Sequence, residues 1–243
     1  MHVVARHQAR TKVSVRTTSA GVSVTASGTN GPQGSVDYDI TAPAWMAMRI
    51  EGTYNFVTVE GAQAEVLATT VRGDVTIKGG SGTVTAKSIE GEVRVEGARG
   101  KVNASSVNEK VAVADVTGDI TAESTNGRIT LTGIDSKTVD ASTVNGDIIY
   151  EGKLLDGGHY SFGTHNGNLA LGIPDNANAT FTIRTYQGSF STDLPLDGVN
   201  RDDVRRGRRV TTVLGNGSAD VNLETFGGSI RLRKGSAGPV RGR

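Results

Sequence analysis

Four histidines are the first residues equipped for chemistry: His2, His7, His159 and His165. Imidazole binds metals and moves protons near neutral pH. His159 and His165 flank Tyr160-Ser161-Phe162-Gly163-Thr164, but no third ligand stands at a spacing that completes a metal site. Solvated histidines account for the same residues without a ligand. Three aspartates follow glycine, in Gly73-Asp74-Val75, Gly118-Asp119-Ile120 and Gly146-Asp147-Ile148. Repeated acids can hold a row of calcium ions, but the calcium-binding nonapeptide requires Gly-Gly-x-Gly-x-Asp. Here Gly79-Gly80-Ser81-Gly82-Thr83 runs into Val84, and positions equivalent to the aspartates carry Lys101, Lys110 and Arg128. Cations at those places exclude a calcium row.

Cleavage of a polysaccharide needs two carboxylates flanking the scissile bond. Outward positions read Thr76, Arg94, Ala112 and Thr130 on one face and Thr85, Asn103, Thr121 and Asp140 on the other, and no pair is singled out. Gly97-Ala98-Arg99-Gly100-Lys101 is too short between its glycines for a phosphate loop. Gly-x-Ser-x-Gly is missing, and with no Cys there is neither thiolate ligand nor disulfide. A threonine ladder of the ice-binding kind fails too, because rungs equivalent to Thr83/Thr85 hold Glu65/Leu67, Lys101/Asn103 and Asp119/Thr121. The expectation is a protein that is not an enzyme, with no metal and no cofactor.

One charge feature stands out. Lys and Arg total 26 against 25 Asp and Glu, which removes any global argument for a nucleic-acid partner. From residue 200 to 243, however, ten Lys/Arg meet four acids, net +6, leaving −5 for the rest of the +1 total. Arg205, Arg206, Arg208 and Arg209 are the candidate contact for an anionic partner such as envelope polymer, lipid headgroup or nucleic acid; a solvated loop or tail is the plainer account.

The elements that must carry these residues follow from composition and period. The 243 residues include 28 Val, 28 Thr and 33 Gly but only 11 Leu. β-Branched residues lose rotamer freedom in helices and pack well on pleated surfaces, so this chain reads as strands. Steps of nine from Met48 give Val57, Val66, Val75, Val84, Val93, Val102, Val111, Ile120 and Ile129. Two residues further on, the series Val59, Ala68, Ile77, Ala86, Val95, Ala104, Val113, Ala122, Leu131 alternates large and small. The unit is therefore 18 residues with two unlike halves, each a short strand and a turn. Small residues on one wall facing large ones on the other keep core volume constant.

Such units stack as a parallel β-solenoid, each strand pairing with its equivalent one coil away. A meander of antiparallel strands explains the alternation but not the 18-residue ladder. The expected division is an irregular set of first coils or an N-terminal cap over 1–45, containing Val13/Val15, Val22/Val24 and Val36/Tyr38/Ile40, then a regular solenoid over 46–196. A basic inserted loop at 197–209, final coils at 210–234 and a disordered tail at 235–243 complete one domain. Ten to twelve coils at about 4.8 Å each make a rod of roughly 50 Å.

Three stretches carry a family resemblance: the Gly-Asp-(Val/Ile) units, Thr143-Val144-Asn145-Gly146-Asp147-Ile148, and Leu223-Glu224-Thr225-Phe226-Gly227-Gly228-Ser229-Ile230-Arg231-Leu232. Over residues 36 to 234 the chain resembles a widespread bacterial family, the adhesin-like β-strand-repeat domain of unknown function. The resemblance implies a β-solenoid on the cell envelope or outside the cell, with no catalytic residues to carry over. Met1-His2-Val3-Val4-Ala5-Arg6-His7 lacks the apolar core of a signal peptide, and no apolar run is long enough for a membrane helix. The leading expectation is a non-catalytic structural or adhesin-like binding module for a surface polymer or protein. The alternative is a filament subunit that stacks end to end through exposed strand edges, and a polysaccharide-active enzyme is the third reading.

Overall fold

Alternation of apolar and polar residues does produce strands, and most of them lie parallel. A computed structural model of the chain describes residues 1–7, 11–19, 21–28, 34–196, 204 and 207–235. It divides into two compact units, Met1–Ala44 and Trp45–Arg243.

In the first unit β1 (His2–His7), β2 (Thr11–Thr18), β3 (Gly21–Gly28) and β4 (Val36–Thr41) form two two-stranded sheets. β1 pairs with β4 and β2 with β3, both antiparallel. This differs from a coil strand, which pairs parallel with its equivalent one level away.

The second unit is a β-solenoid. Its first coil is β5 (Met48–Tyr54) and β6 (Val57–Ala62), and the next is β7 (Val66–Arg72) and β8 (Val75–Gly79). Then follow β9 (Ser81–Ser88) with β10 (Val93–Glu96), β11 (Arg99–Ser106) with β12 (Val111–Ala114), and β13 (Ile120–Ser124) with β14 (Ile129–Ile134). β15 (Thr138–Thr143) with β16 (Ile148–Gly152) and β17 (His159–Thr164) with β18 (Leu169–Ile173) complete seven coils in chain order. Odd strands build one wall and even strands the other, in parallel register throughout.

The predicted ladders are the core. Ala68, Ala86, Ala104, Ala122 and Ala141 lie in register on the first wall, and Val59, Ile77, Val95, Val113, Leu131 and Tyr150 on the second. All are buried. At β17 the small row ends: Phe162 stands where Ala141 stood, its ring 5.1 Å from that of Tyr150. The core widens there, where the coils lengthen.

Eight of the ten first-wall strands, all but β5 and the reversed strand Val210–Leu214, end in a Ser or Thr, an exposed residue, a third residue and, in seven of the eight corners, a glycine. Ser88, Ser106, Thr143, Thr164, Thr225 and Thr185 turn their hydroxyls inward and donate to the corner carbonyl of the adjoining level at 2.8–3.2 Å. The glycines stack so closely that a Cβ on Gly146 would sit 2.2 Å from the carbonyl oxygen of Gly127, and one on Gly167 1.9 Å from that of Gly146. Outside the corner, Asn108, Asn126, Asn145 and Asn166 form an amide ladder at 2.9–3.0 Å.

After β18 spatial order departs from chain order. β19 (Ala179–Thr185) and β20 (Phe190–Thr192) are placed two levels on, and β21 (Val210–Leu214) turns back antiparallel along β19. β22 (Ala219–Thr225) and β23 (Ile230–Lys234) then enter the vacant level, β22 between β17 and β19, β23 between β18 and β20. Simple stacking in sequence order fails here. The result is nine levels instead of ten to twelve, about 40 Å of wall at the usual strand spacing.

Candidate functional site

The intercalated strand assembles a continuous polar surface on the first wall of the solenoid. Strands β15, β17, β22 and β19 lie side by side, and alternation sends every second side chain outward. Val139, Tyr160, Val221 and Phe181 go to the core. Thr138, His159, Asp220 and Thr180 make one outward row, and Asp140, Ser161, Asn222 and Thr182 make the next. Together they line an open groove of about 540 Å³, with Arg209 at its rim. Within it His159 Nδ1 lies 3.5 Å from Asp220 Oδ2.

At the corner of three of these four levels stands an aromatic stack. His165, Phe226 and Tyr186 each follow the buried Thr that closes β17, β22 and β19. The His165 and Phe226 rings are 4.7 Å apart and nearly parallel, and Phe226 and Tyr186 are 5.3 Å apart. Arg184 lies over Tyr186 at 4.3 Å and 3.9 Å from the Glu224 carboxylate. Lower on the same corner the equivalent exposed residues are Val71, Ile89, Val107, Thr125 and Val144. At this corner position aromatic rings stand only on β17, β22 and β19, three of the four levels that carry the groove.

Of the residues singled out in the sequence, His159 and Arg209 meet in the groove and His165 stands in the stack beside it. Arg208 is exposed, and Arg205 and Arg206 lie outside the described residues. His2 and His7 are in β1 of the first unit. Asp74 and Asp147 brace neighbouring coils: Asp74 accepts the backbone N–H of Glu92 at 2.8 Å and Asp147 that of Asn168 at 2.9 Å. Asp147 also pairs with Arg128, and these contacts, led by the Asn168 amide, hold its carboxyl below the usual range. Among the described residues no group of three or more His, Asp or Glu could hold a metal ion. Asp220, Asn222 and Phe226 were not legible as site residues, since only the intercalation brings them to β17. The usable signal was the corner motif, whose exposed position is aromatic or His only at residues 165, 186 and 226.

Chemically the groove is mixed. Two carboxylates, one guanidinium, one imidazole, an amide and several hydroxyls offer donors and acceptors in nearly equal measure. Excess positive charge, which an anion would require, is not the character of these walls. Among the described residues no helix is long and apolar enough to cross a membrane.

Comparison with known families places this architecture. A family model described as Toastrack DUF4097 matches residues 3–233, reaching back through the N-terminal strands. No curated protein and no solved structure matches the chain.

Proposed function

The chain belongs to the Toastrack family, DUF4097, and we propose that it is a non-catalytic, adhesin-like binding module of the cell envelope or extracellular space whose partner is a hydroxyl-rich surface polymer. The observation that carries this reading is the pairing of a mixed polar groove with an aromatic stack on three of its four levels. Sugars need both donors and acceptors along the chain and an apolar surface beside them. A linear polymer laid across β15, β17, β22 and β19 meets the polar side chains of a new strand about every 4.8 Å.

Glycan-array binding followed by calorimetry tests the reading. Asn222→Ala and Phe226→Ala are expected to weaken binding about 5- to 30-fold each, the loss of one hydrogen-bonded or stacked contact. Binding to a neutral polymer should change little between low and high salt. Binding that collapses in salt and with Arg208→Ser/Arg209→Ser would transfer the proposal to an anionic polymer at the basic segment. No binding to any glycan, or turnover of one, would remove it.

A further inference from the structure

We propose that two copies of this chain join through the open edge of the first coil, β5 pairing antiparallel with β5 of the second copy about a two-fold axis at Ile50. β5 pairs only with β7, and β6 only with β8, among the described strands, so this end of both walls has an unpaired edge. Unpaired edges are templates for another strand. Beside this one stand the three most exposed large apolar residues among those described, Trp45 (74%), Tyr54 (70%) and Phe56 (84%).

The sequence of the edge identifies the occupant. Met48-Arg49-Ile50-Glu51-Gly52, paired antiparallel with itself about Ile50, sets Arg49 of each copy opposite Glu51 of the other. Opposed residues in an antiparallel pair share a face, so both ion pairs fall on the outward side. Arg49 and Glu51 are exposed there, paired at 2.8 Å within their own strand. Met48 and Ile50 fall on the inward side, half-buried against the core, so pairing carries the core across the axis.

Among the described residues the opposite end is built differently. Its first wall stops at the reversed strand β21 and its second at the three-residue β20, with Leu194, Val204 and Leu214 buried. The β21 edge, Val210-Thr211-Thr212-Val213-Leu214, carries no charge to meet Arg49 and Glu51, which makes it the poorer match for β5. The first-coil edge finds its match in another first-coil edge, which closes as a pair.

Sedimentation velocity of the full chain over a concentration series tests this. The expected result is a monomer–dimer equilibrium with nothing larger. Arg49→Glu sets two like-charge pairs across the axis and should raise the dimer Kd at least about tenfold. Arg49→Glu/Glu51→Arg exchanges the charges and should return the Kd to within about threefold of the parent. Far-UV circular dichroism checks the fold, and Glu51→Arg alone serves if Arg49→Glu does not fold. A monomer at every concentration, growth beyond two copies, a Kd unchanged by the single substitutions, or no recovery in the double variant overturns the proposal.

Discussion

Tyr160 occupies a position held by valine on the two neighbouring strands, Val139 and Val221. A phenol can be buried there because its polar end is fully used: Oη donates to Ser136 O at 2.6 Å and accepts the Leu155 N–H at 2.8 Å. Tyr150 is placed with less, donating to Lys153 O at 2.6 Å. Tyr160→Phe strands a donor and an acceptor at once and should cost about 1–3 kcal/mol, more than Tyr150→Phe, as urea titration would show. Burial pushes both phenols above their ordinary value. The fold therefore keeps the proton that the unfolded chain releases near pH 10, so their contribution is complete below about pH 10 and declines as pH rises toward the native pKa. Asp147 has the opposite sign: its lowered carboxyl lends stability above about pH 4 that is lost as pH falls through its native pKa. Melting curves against pH should show the alkaline decline flattened in Tyr150→Phe/Tyr160→Phe. An unchanged alkaline limb would show that these phenols do not set it.

The corner is the element that joins one level to the next, and the close approach of its glycines makes a sharp test of the intercalated strand. A Cβ on Gly228 would lie 1.8 Å from the carbonyl oxygen of Gly167, and neither backbone can yield without breaking the Thr225 hydroxyl bond to that same oxygen. Gly228→Ala should cost about 1–3 kcal/mol or more. Gly163→Ala, in β17 with nothing within 4 Å, should be neutral or stabilise by up to about 1 kcal/mol. Equal effects in chemical denaturation would mean that β22 is not seated between β17 and β19. The sequence made the rungs legible, because Val93 or Ala104 repeats at a fixed step and the step defines which face is inward. It did not show which rungs are neighbours. Ala219–Thr225 carries the same alternation as any other strand, and that pattern specifies a face without naming a partner. For the same reason His159 and Arg209 were visible as individual residues while the groove that unites them was not.

Across the whole chain the two units differ in how much they bury. In Met1–Ala44 the alternation of Val13/Val15 and Tyr38/Ile40 is as clean as in any coil, yet Val15, Tyr38 and Ile40 are exposed, and Thr11 is the one fully buried residue among those described. Periodicity marks the two faces of a strand but does not say whether a core exists to receive one of them. Two-stranded sheets are marginal on their own, whereas strands such as β11, β13 and β15 have a ladder partner on both sides and a filled interior. Local opening follows that difference, since amides exchange through the least costly opening that frees them. Hydrogen exchange at neutral pH should therefore show backbone amides of β1–β4 exchanging orders of magnitude faster than those of β11–β16. The slowest amides should lie in the middle levels, where freeing one strand breaks two ladders. The intercalated β22 should be slower than β21, although β21 precedes it in the chain. Protection in β1–β4 equal to that of the middle levels would show that the first unit is held by burial absent from its own strands. Faster exchange in β22 than in β21 would show that spatial order does not govern stability at this end of the solenoid.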